Sequence, residues 1–310
     1  MGTSYSVQIN ANDTGNLNDA LTNAIEDILN QVNQKMSTYI DDSELSQINS
    51  SSSTEWLSVS QELYDVISTA NTISIKTDGA FDITVGPLVN QWDFGPDVRN
   101  EMIPPSDSTI QILSEYVGYK QLDLRASPPE IRKLKADIRL DLSGIAKGYA
   151  VDKIADFLDH SRFENYMVEI GGELRAKGIN NSEELWRIGI EKPLTESREV
   201  HQIIHLDSTA MATSGGYRNF FIINDVRYSH EIDPKTGYPV SHQLVSVTVL
   251  DPSAMVADAL ATGLLVMGPD DGVKLAAREN IPALFIISST NGYLEQYTGN
   301  FKHFVVMPGA

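Results

Sequence analysis

The spacing of hydrophobic residues changes between period two and helical period along the chain, which predicts a mixture of short strands and helices. Residues 4–9 alternate between polar and apolar side chains and predict a strand. A long amphipathic helix ending near Tyr39 is predicted by apolar residues at helical spacing, namely Leu21, Ile25, Ile28, Leu29, Val32 and Met36. Serine-rich residues 49–54 predict a loop. Ser58, followed three residues later by Gln61, predicts the capped start of a second helix.

Residues 77–105 show no clear period and are rich in Gly, Pro and Asp. A segment of this length inside a compact domain is usually either functional or disordered. The aromatic residues Phe81, Trp92 and Phe94 favour order, because large apolar side chains are stabilised by burial. We therefore predict a long ordered loop or a series of turns in this segment.

The rest of the chain continues the mixture of strands and helices. The pattern predicts short strands around Leu122 and Ile138, a helix after Lys147, several short strands over residues 166–221, an alternating strand over residues 245–249, helices over residues 253–267 and from Asp270, and a buried strand over residues 283–287. Because strict β-α-β alternation is lacking, we expect the α+β class rather than a doubly wound parallel sheet. We predict one domain over residues 1–310, either undivided or made of two intertwined subdomains that meet near residue 140.

Composition and charge limit the classes of partner. With 23 basic and 42 acidic residues, the 310-residue chain has a formal net charge of −19. Such a surface repels phosphate backbones, which argues against binding nucleic acid or anionic membranes through a basic face. A phosphorylated ligand would therefore need a local positive group or a metal ion. The chain has no cysteine, which excludes disulfides, thiolate metal sites and thiol catalysis.

A lysine follows a turn of small residues in the segment Asp141-Leu-Ser-Gly-Ile-Ala-Lys147-Gly-Tyr-Ala-Val-Asp152. The residues after the lysine have helical periodicity, with Ala150 and Ile154 on one face. Free backbone N–H groups at the start of a helix, together with a lysine, suit the phosphates of a nucleotide. The segment is not a Walker A motif, because glycine follows Lys147 where that motif has Ser or Thr.

Asp258 and Thr262 are four residues apart in a predicted helix, so their oxygen atoms project from the same face. The residues around them are mostly Ala and Gly, which allow a ligand or another backbone to approach closely. A carboxylate and a hydroxyl suit a hard cation such as Mg²⁺. The alternative is that Asp258 caps a helix or forms a hydrogen bond within the core.

His230 comes just before a turn that contains Asp-Pro and Thr-Gly. A histidine in this position can act as a base or bind a ligand, or it can simply form a hydrogen bond with the turn backbone. Residues 78–92 combine carboxylates, a hydroxyl and aromatic rings, which suits a planar ring or a ribose; a structured loop without a ligand is the alternative. Gly pairs at 171–172 and 215–216 allow tight turns or close approach of a ligand.

Taken together, these segments resemble the FAD:protein FMN transferase family, the ApbE-type flavin transferases. The resemblance covers nearly the whole chain, and the joint order of its motifs is more specific than any one of them. The matching segments are Met1-Gly-Thr, Met36-Ser-Thr-Tyr39, Asp78-Gly-Ala-Phe-Asp82, Val85-Gly-Pro87, Asp141-Leu-Ser-Gly-Ile-Ala-Lys147-Gly-Tyr-Ala, Glu169-Ile-Gly-Gly-Glu173, Thr213-Ser-Gly215, His230-Glu-Ile-Asp-Pro-Lys-Thr-Gly237 and Ala257-Asp-Ala-Leu-Ala-Thr262.

The resemblance implies an enzyme that moves the FMN half of FAD onto a Thr or Ser hydroxyl of a target protein and releases AMP. It implies Mg²⁺ as the cofactor, with Asp258, Thr262 and the backbone carbonyl of Gly144 as ligands. It also implies an FAD site in a cleft lined by Met1, Tyr39, Ala80, Phe81, Asp82, Asp141, Lys147 and Ile232.

The attacking hydroxyl has a high pKa, so the reaction needs a base within hydrogen-bond reach. His230 is the first candidate, and Asp258 is the alternative. Two other functions remain open at this point. The same site could deliver water instead of a protein hydroxyl, as in a magnesium-dependent FAD pyrophosphatase that forms FMN and AMP, or the protein could bind FAD without catalysis.

The resemblance also implies a partner and a location. We expect the acceptor to be a subunit of a membrane respiratory complex that carries threonine-linked FMN. We expect a periplasmic protein whose contact with the membrane is a lipid anchor outside the given sequence. No nucleic-acid partner is expected.

Overall fold

The computed structural model describes residues 2–10, 19–97, 103–193, 199–217, 219–290 and 292–306. Within these residues the α-helices are α1 Asp19–Met36, α2 Glu44–Ser50, α3 Gln61–Lys76, α4 Gly86–Gln91, α5 Asp107–Ser114, α6 Ala146–His160 and α7 Ala254–Arg278. The strands are β1 Tyr5–Ile9, β2 Leu57–Ser58, β3 Leu122–Ala126, β4 Pro129–Lys133, β5 Tyr166–Ile170, β6 Glu173–Lys177, β7 Trp186–Glu191, β8 Val200–Leu206, β9 Thr209–Ser214, β10 Phe220–Ile223, β11 Val226–Ser229, β12 Leu244–Asp251, β13 Ala283–Ser289 and β14 Gly292–Thr298.

An antiparallel sheet of seven described strands forms the centre, in the order β1-β5-β6-β9-β12-β13-β14. Alternate residues of its strands face opposite sides. In β13, Ala283, Phe285 and Ile287 join the core on the helical side, whereas Leu284 and Ile286 join the core on the other side. Both faces are therefore covered, which explains why this strand is continuously hydrophobic in sequence. Helices beside an antiparallel sheet confirm the predicted α+β class.

The two faces of the sheet have different covers. The main core lies on the helical side and combines the sheet with side chains from α1, α2, α3, α6 and α7. It draws on residues from Ile25 to Ile287, and so from both sides of residue 140. The antiparallel ribbon β7–β8 covers the other face, with Trp186 and Ile204 buried against the sheet. No described helix is both long and apolar enough to cross a membrane.

A smaller aromatic core lies beside the sheet and joins the predicted loop at 77–105 to the hairpin β10–β11. Trp92 stacks on Tyr228 with ring centroids 5.4 Å apart, and its Nε1 donates a hydrogen bond to the carbonyl of Gly237 at 2.8 Å. Phe221 stacks in turn on both Tyr228 and Phe94. The hairpin leads directly into His230, so these rings fix the position of the histidine relative to α4.

Helices α6 and α7 cross at very close range. A Cβ added at Gly148 of α6 would lie 2.2 Å from the carbonyl oxygen of Ala254, at the start of α7. Asp152 of α6 accepts hydrogen bonds from Ser253 Oγ at 2.6 Å, Ala254 N at 2.9 Å and Met255 N at 3.0 Å. A carboxylate at a helix N-terminus satisfies free N–H groups and interacts favourably with the helix dipole. This contact therefore sets the position of α7 relative to the loop before α6.

Most predicted elements are present, and the differences have local reasons. The predicted helical capping at Ser58 is wrong: Ser58 lies in β2, and the helix is capped by Ser60, whose hydroxyl accepts from Leu63 N. Both serines lie near the helix start and have the same side chain, so only the backbone path of the folded chain shows that Ser60 is the cap. Residues 49 and 50 end helix α2 rather than starting a loop.

Two further differences concern short elements. Ile138 is not in a strand; it is fully buried, and its neighbour Arg139 makes only an isolated bridge with Val85. The long segment after residue 77 contains the short helix α4. The predicted pair of helices near the C-terminal end is present as α7, which kinks at Gly268 with a φ of 80° before Pro269.

Candidate active site

A cleft of about 870 Å³ opens at one end of the helical layer, where loops and element ends from the whole chain meet. Every predicted site residue in the described part of the chain lines this cleft: Tyr39, Ala80, Phe81, Asp82, Asp141, Gly144, Lys147, His230, Ile232, Asp258 and Thr262. Met1, also predicted to line the FAD site, lies outside the described residues. The fold thus brings together segments more than 200 residues apart.

Lys147 is the positive centre of the cleft. Its Nζ lies 3.7 Å from Asp258 Oδ1 and 3.6 Å from Glu173 Oε1, and it donates a hydrogen bond to the carbonyl of Ser143 at 3.1 Å. Both carboxylates are almost fully buried, whereas the lysine side chain keeps 28% of its surface exposed. One lysine therefore faces two buried carboxylates and is still open to a ligand.

The burial of these groups shifts their pKa values. Burial lowers the pKa of Lys147, but its attraction to Asp258, Glu173 and Glu231 outweighs that effect, and the net pKa is raised. Burial raises the pKa of Asp258 and of Glu173, and Lys147 opposes this only in part. Lys147 therefore carries a positive charge. Burial disfavours the ionised forms of Asp258 and Glu173, so a further cation or hydrogen-bond donor beside these carboxylates would stabilise them.

Three oxygen-bearing residues meet beside Lys147. Asp258 Oδ2 accepts a hydrogen bond from Gly148 N at 3.0 Å, which orients the carboxylate. Thr262 Oγ1 lies 3.1 Å from Ser214 Oγ. A Cβ at Gly144 would lie 3.2 Å from Thr262 Oγ1, so this backbone passes close to the hydroxyl.

This donor set suits Mg²⁺, which prefers carboxylate, hydroxyl and carbonyl oxygen. Within the part of the chain that the structure describes, no group of three His, Cys, Asp or Glu side chains could hold a metal ion. A magnesium site built on Asp258 would therefore depend on the hydroxyl of Thr262 and the carbonyl of Gly144, as predicted. The chemistry of these residues fits the ion.

His230 directly follows β11 and lines the same cleft as Lys147. Its Nδ1 is 3.0 Å from the carbonyl of Asn219, which also accepts from the backbone N of His230 at 3.1 Å. A carbonyl can only accept, so Nδ1 carries the proton in the neutral ring and Nε2 has the free lone pair. Nε2 lies 3.3 Å from Glu231 Oε1. Phe94 packs edge-on to the imidazole.

Two carboxylates of the cleft lining, Asp82 and Asp141, make different contacts. Asp82 is buried and accepts hydrogen bonds from Thr84 N at 2.8 Å, Thr84 Oγ1 at 2.7 Å and Tyr119 N at 2.6 Å. Its carboxylate therefore holds the cleft wall together. Asp141 accepts from Ser143 N at 2.7 Å and, after burial, is the second cause that raises the pKa of Tyr39.

Comparison with known proteins identifies the family of the chain. The model of the ApbE family matches residues 1–285. The chain belongs to the ApbE family.

Two relatives in the ApbE family are similar over about nine-tenths of their length. The FAD:protein FMN transferase of Vibrio cholerae is 44% identical over 305 residues, which covers 98% of this chain and 90% of that protein. The FAD:protein FMN transferase of Haemophilus influenzae is 42% identical and covers 97% of this chain and 88% of its own length.

Solved structures agree on the ApbE fold. The flavin transferase ApbE from Vibrio cholerae superposes with a TM-score of 0.90 at 43% identity, covering 98% of this chain and 96% of that one. The ApbE protein from Thermotoga maritima gives a TM-score of 0.86 at 32% identity, covering 99% and 97%.

Among the polar lining residues of this ApbE-family cleft that sequence reasoning missed as site residues are Glu173, Ser214 and Glu231. Glu173 begins a buried strand directly after a Gly-Gly turn, and its Oε2 is buried without a hydrogen-bond partner among the described residues. The Gly171-Gly172 pair directly before it, which allows a ligand to approach closely, was the signal that could have identified it. Ser214 and Glu231 carry no such signal, because only the packing of distant segments shows that they face the cleft.

Proposed function

We propose that this chain is a magnesium-dependent FAD:protein FMN transferase, which moves the FMN moiety of FAD onto a Thr or Ser hydroxyl of a target protein and releases AMP. The observation that carries the proposal is the convergence of Lys147, Asp258, Thr262 and His230 on one cleft. Its volume of about 870 Å³ suits a ligand as large as a dinucleotide.

The charge distribution supports a diphosphate ligand. A chain with a net charge of −19 repels anions in general, so a diphosphate needs local compensation. Lys147 provides one positive charge at the cleft surface. Gly144, Asp258 and Thr262 would hold Mg²⁺, which would neutralise charge on the diphosphate when bound.

The reaction is a phosphoryl transfer, in which positioning and charge neutralisation provide most of the catalysis. The oxygen of the acceptor hydroxyl forms a bond to the phosphorus of the FMN phosphate, and the bond from that phosphorus to the oxygen bridging to AMP breaks. The proton of the hydroxyl needs a base. Asp258 already accepts from Gly148 N and faces Lys147, whereas Nε2 of His230 has a free lone pair, which favours His230.

The acceptor and the location are part of the proposal and rest on the resemblance to the family. We propose that the acceptor is a subunit of a membrane respiratory complex, presented as an exposed segment with a Thr or Ser. We propose a periplasmic location, with attachment to the membrane through a lipid. Fractionation of cells that express the full natural protein, followed by detection of its lipid modification, tests this part independently of the activity.

The test of the activity is a reaction of the purified protein with FAD, Mg²⁺ and an acceptor domain that contains the target Thr. We expect flavin fluorescence on the acceptor after denaturing electrophoresis, with one AMP released for each label, and loss of both with EDTA and in Asp258→Ala. AMP and free FMN without a labelled acceptor would instead identify a pyrophosphatase. Intact FAD that stays bound would identify a binding protein and refute the proposal.

A further inference from the structure

His230 and Glu231 are neighbours in sequence, and their side chains form a pair at the cleft. The distance from His230 Nε2 to Glu231 Oε1 is 3.3 Å, and both residues line the cleft. Glu231 keeps only 11% of its side-chain surface exposed. A carboxylate this close to a ring nitrogen stabilises the protonated imidazole and has little effect on the neutral one.

The surrounding backbone holds this pair in place. Glu231 N donates to Ser229 Oγ at 3.3 Å, and the carbonyl of Glu231 accepts from Val240 N at 2.9 Å. The ring of His230 is held from the other side by the carbonyl of Asn219, 3.0 Å from Nδ1. The backbone of Glu231 and the imidazole of His230 are therefore held in place by contacts within the chain.

His230 is a closer partner of the Glu231 carboxylate than the other charged groups around it. Lys147 of α6 attracts Glu231, but its closer partners are Asp258 of α7 and Glu173 of β6, at 3.7 and 3.6 Å. The neutral ring donates from Nδ1, so Nε2 can take a proton, and a new positive charge would then meet Glu231 at ion-pair distance.

We propose that Glu231 is a positioning residue that orients His230 and stabilises its protonated form during transfer; this inference rests on the proposed function. In this step the O–H bond of the acceptor hydroxyl breaks and an N–H bond forms at Nε2 of His230. The hydroxyl oxygen bonds to the phosphorus of the FMN phosphate, and AMP leaves with the electron pair of the broken P–O bond. The carboxylate of Glu231, 3.3 Å from Nε2, balances the imidazolium charge.

The test compares wild type with Glu231→Gln, which keeps the shape of the side chain and removes its charge. We expect kcat for FMN transfer to fall by about tenfold or more, with the KM for FAD within about twofold of wild type. Glu231→Ala should be partly rescued by added formate, whereas a purely structural defect would not respond.

The chain offers a matched control in a second His–Glu pair. Glu295 Oε1 lies 2.7 Å from Nε2 of His201, on strands away from the cleft lining. Glu295→Gln should leave kcat unchanged. A Glu231→Gln variant with wild-type kcat, or a Glu231→Ala variant that folds but does not respond to formate, would overturn the inference. Absence of transfer by the wild type would instead refute the proposed function.

Discussion

Replacing Asp152 by alanine tests whether the α6–α7 junction is held by one carboxylate. Asp152 accepts three hydrogen bonds from the first turn of α7, at 2.6, 2.9 and 3.0 Å, and its side chain is only 13% exposed. Charge-assisted hydrogen bonds contribute about 1 kcal/mol or more each to stability. We therefore expect Asp152→Ala to lower the free energy of unfolding by about 3 kcal/mol.

A matched control lies one turn further along α6. Asp156 lies 3.2 Å from the Arg175 guanidinium, the same distance as Asp152, but its side chain is 53% exposed. Exposed ion pairs contribute under about 1 kcal/mol, so Asp156→Ala should cost little. Arg175 keeps two aspartate partners on α6 in either variant, one of them Asp159 at 3.7 Å, which isolates the hydrogen bonds to α7.

The assay is equilibrium unfolding in urea at neutral pH, supported by thermal denaturation. About 3 kcal/mol corresponds to a fall in Tm of roughly 6 °C for a chain of this size. Asp258 lies on the second turn of α7. Asp152→Ala should therefore also raise the Mg²⁺ concentration needed for half-maximal transfer. If the two alanine variants were equally stable, within about 0.5 kcal/mol, the carboxylate would not hold the junction and the reasoning would be refuted.

Three further predictions follow from close contacts in the core and the cleft. Gly148→Ala should lower the free energy of unfolding in urea by about 3 kcal/mol or more, because its Cβ would lie 2.2 Å from the α7 backbone. The control Gly189→Ala should cost much less, because its Cβ would meet only the Val200 side chain, with the nearest methyl at 3.2 Å. Equal costs would contradict the close crossing of α6 and α7. Thr262→Val should raise the Mg²⁺ concentration for half-maximal transfer at least tenfold with little change in Tm. Thr248→Val breaks the hydroxyl pair that Thr248 forms with Thr213, but Thr248 itself does not line the cleft, so this variant should leave the Mg²⁺ concentration unchanged; an unaltered Mg²⁺ titration of Thr262→Val would exclude Thr262 as a ligand. Lys133→Met should destabilise the protein at pH 7 by about 2 kcal/mol or more, because four carbonyls (Ile48, Ser51, Ala136 and Ile138) lose their donor. Burial lowers the pKa of Lys133 to about 8, below its unfolded value of 10.5, so wild-type stability should rise relative to Lys133→Met from pH 8 to pH 10; a difference independent of pH would refute the shift.

The local elements were largely predictable from the sequence, because hydrophobic periodicity directly reports which face of a helix or strand is buried. The helix after Lys147 is present with Ala150, Ile154 and Leu158 fully buried. The errors lie where two neighbouring residues are equally suitable, as at Ser58 and Ser60, or where a buried residue such as Ile138 lies in irregular backbone. Periodicity cannot distinguish these cases, because the backbone path there is set by tertiary contacts.

The candidate site was predictable only in part. Asp258 and Thr262 could be paired from their helical spacing, and Lys147 from the small residues around it. The motif order, seen through the family resemblance, supplied the other cleft residues. Glu173, Ser214 and Glu231 lie within the matching motifs but were not singled out, because only contacts between distant segments show that their side chains line the cleft.

By itself, the sequence determined the types of most elements, the kink of α7 at Gly268-Pro269, and the residues with the chemistry to bind a cation and phosphates. The tertiary structure decided which of them meet. Gly148 N reaches Asp258 across 110 residues of sequence, and Asp152 binds the start of α7 across about 100. Such contacts depend on how helices pack over a shared sheet. The alternation of polar and apolar residues is a local pattern and does not determine which distant segments come into contact.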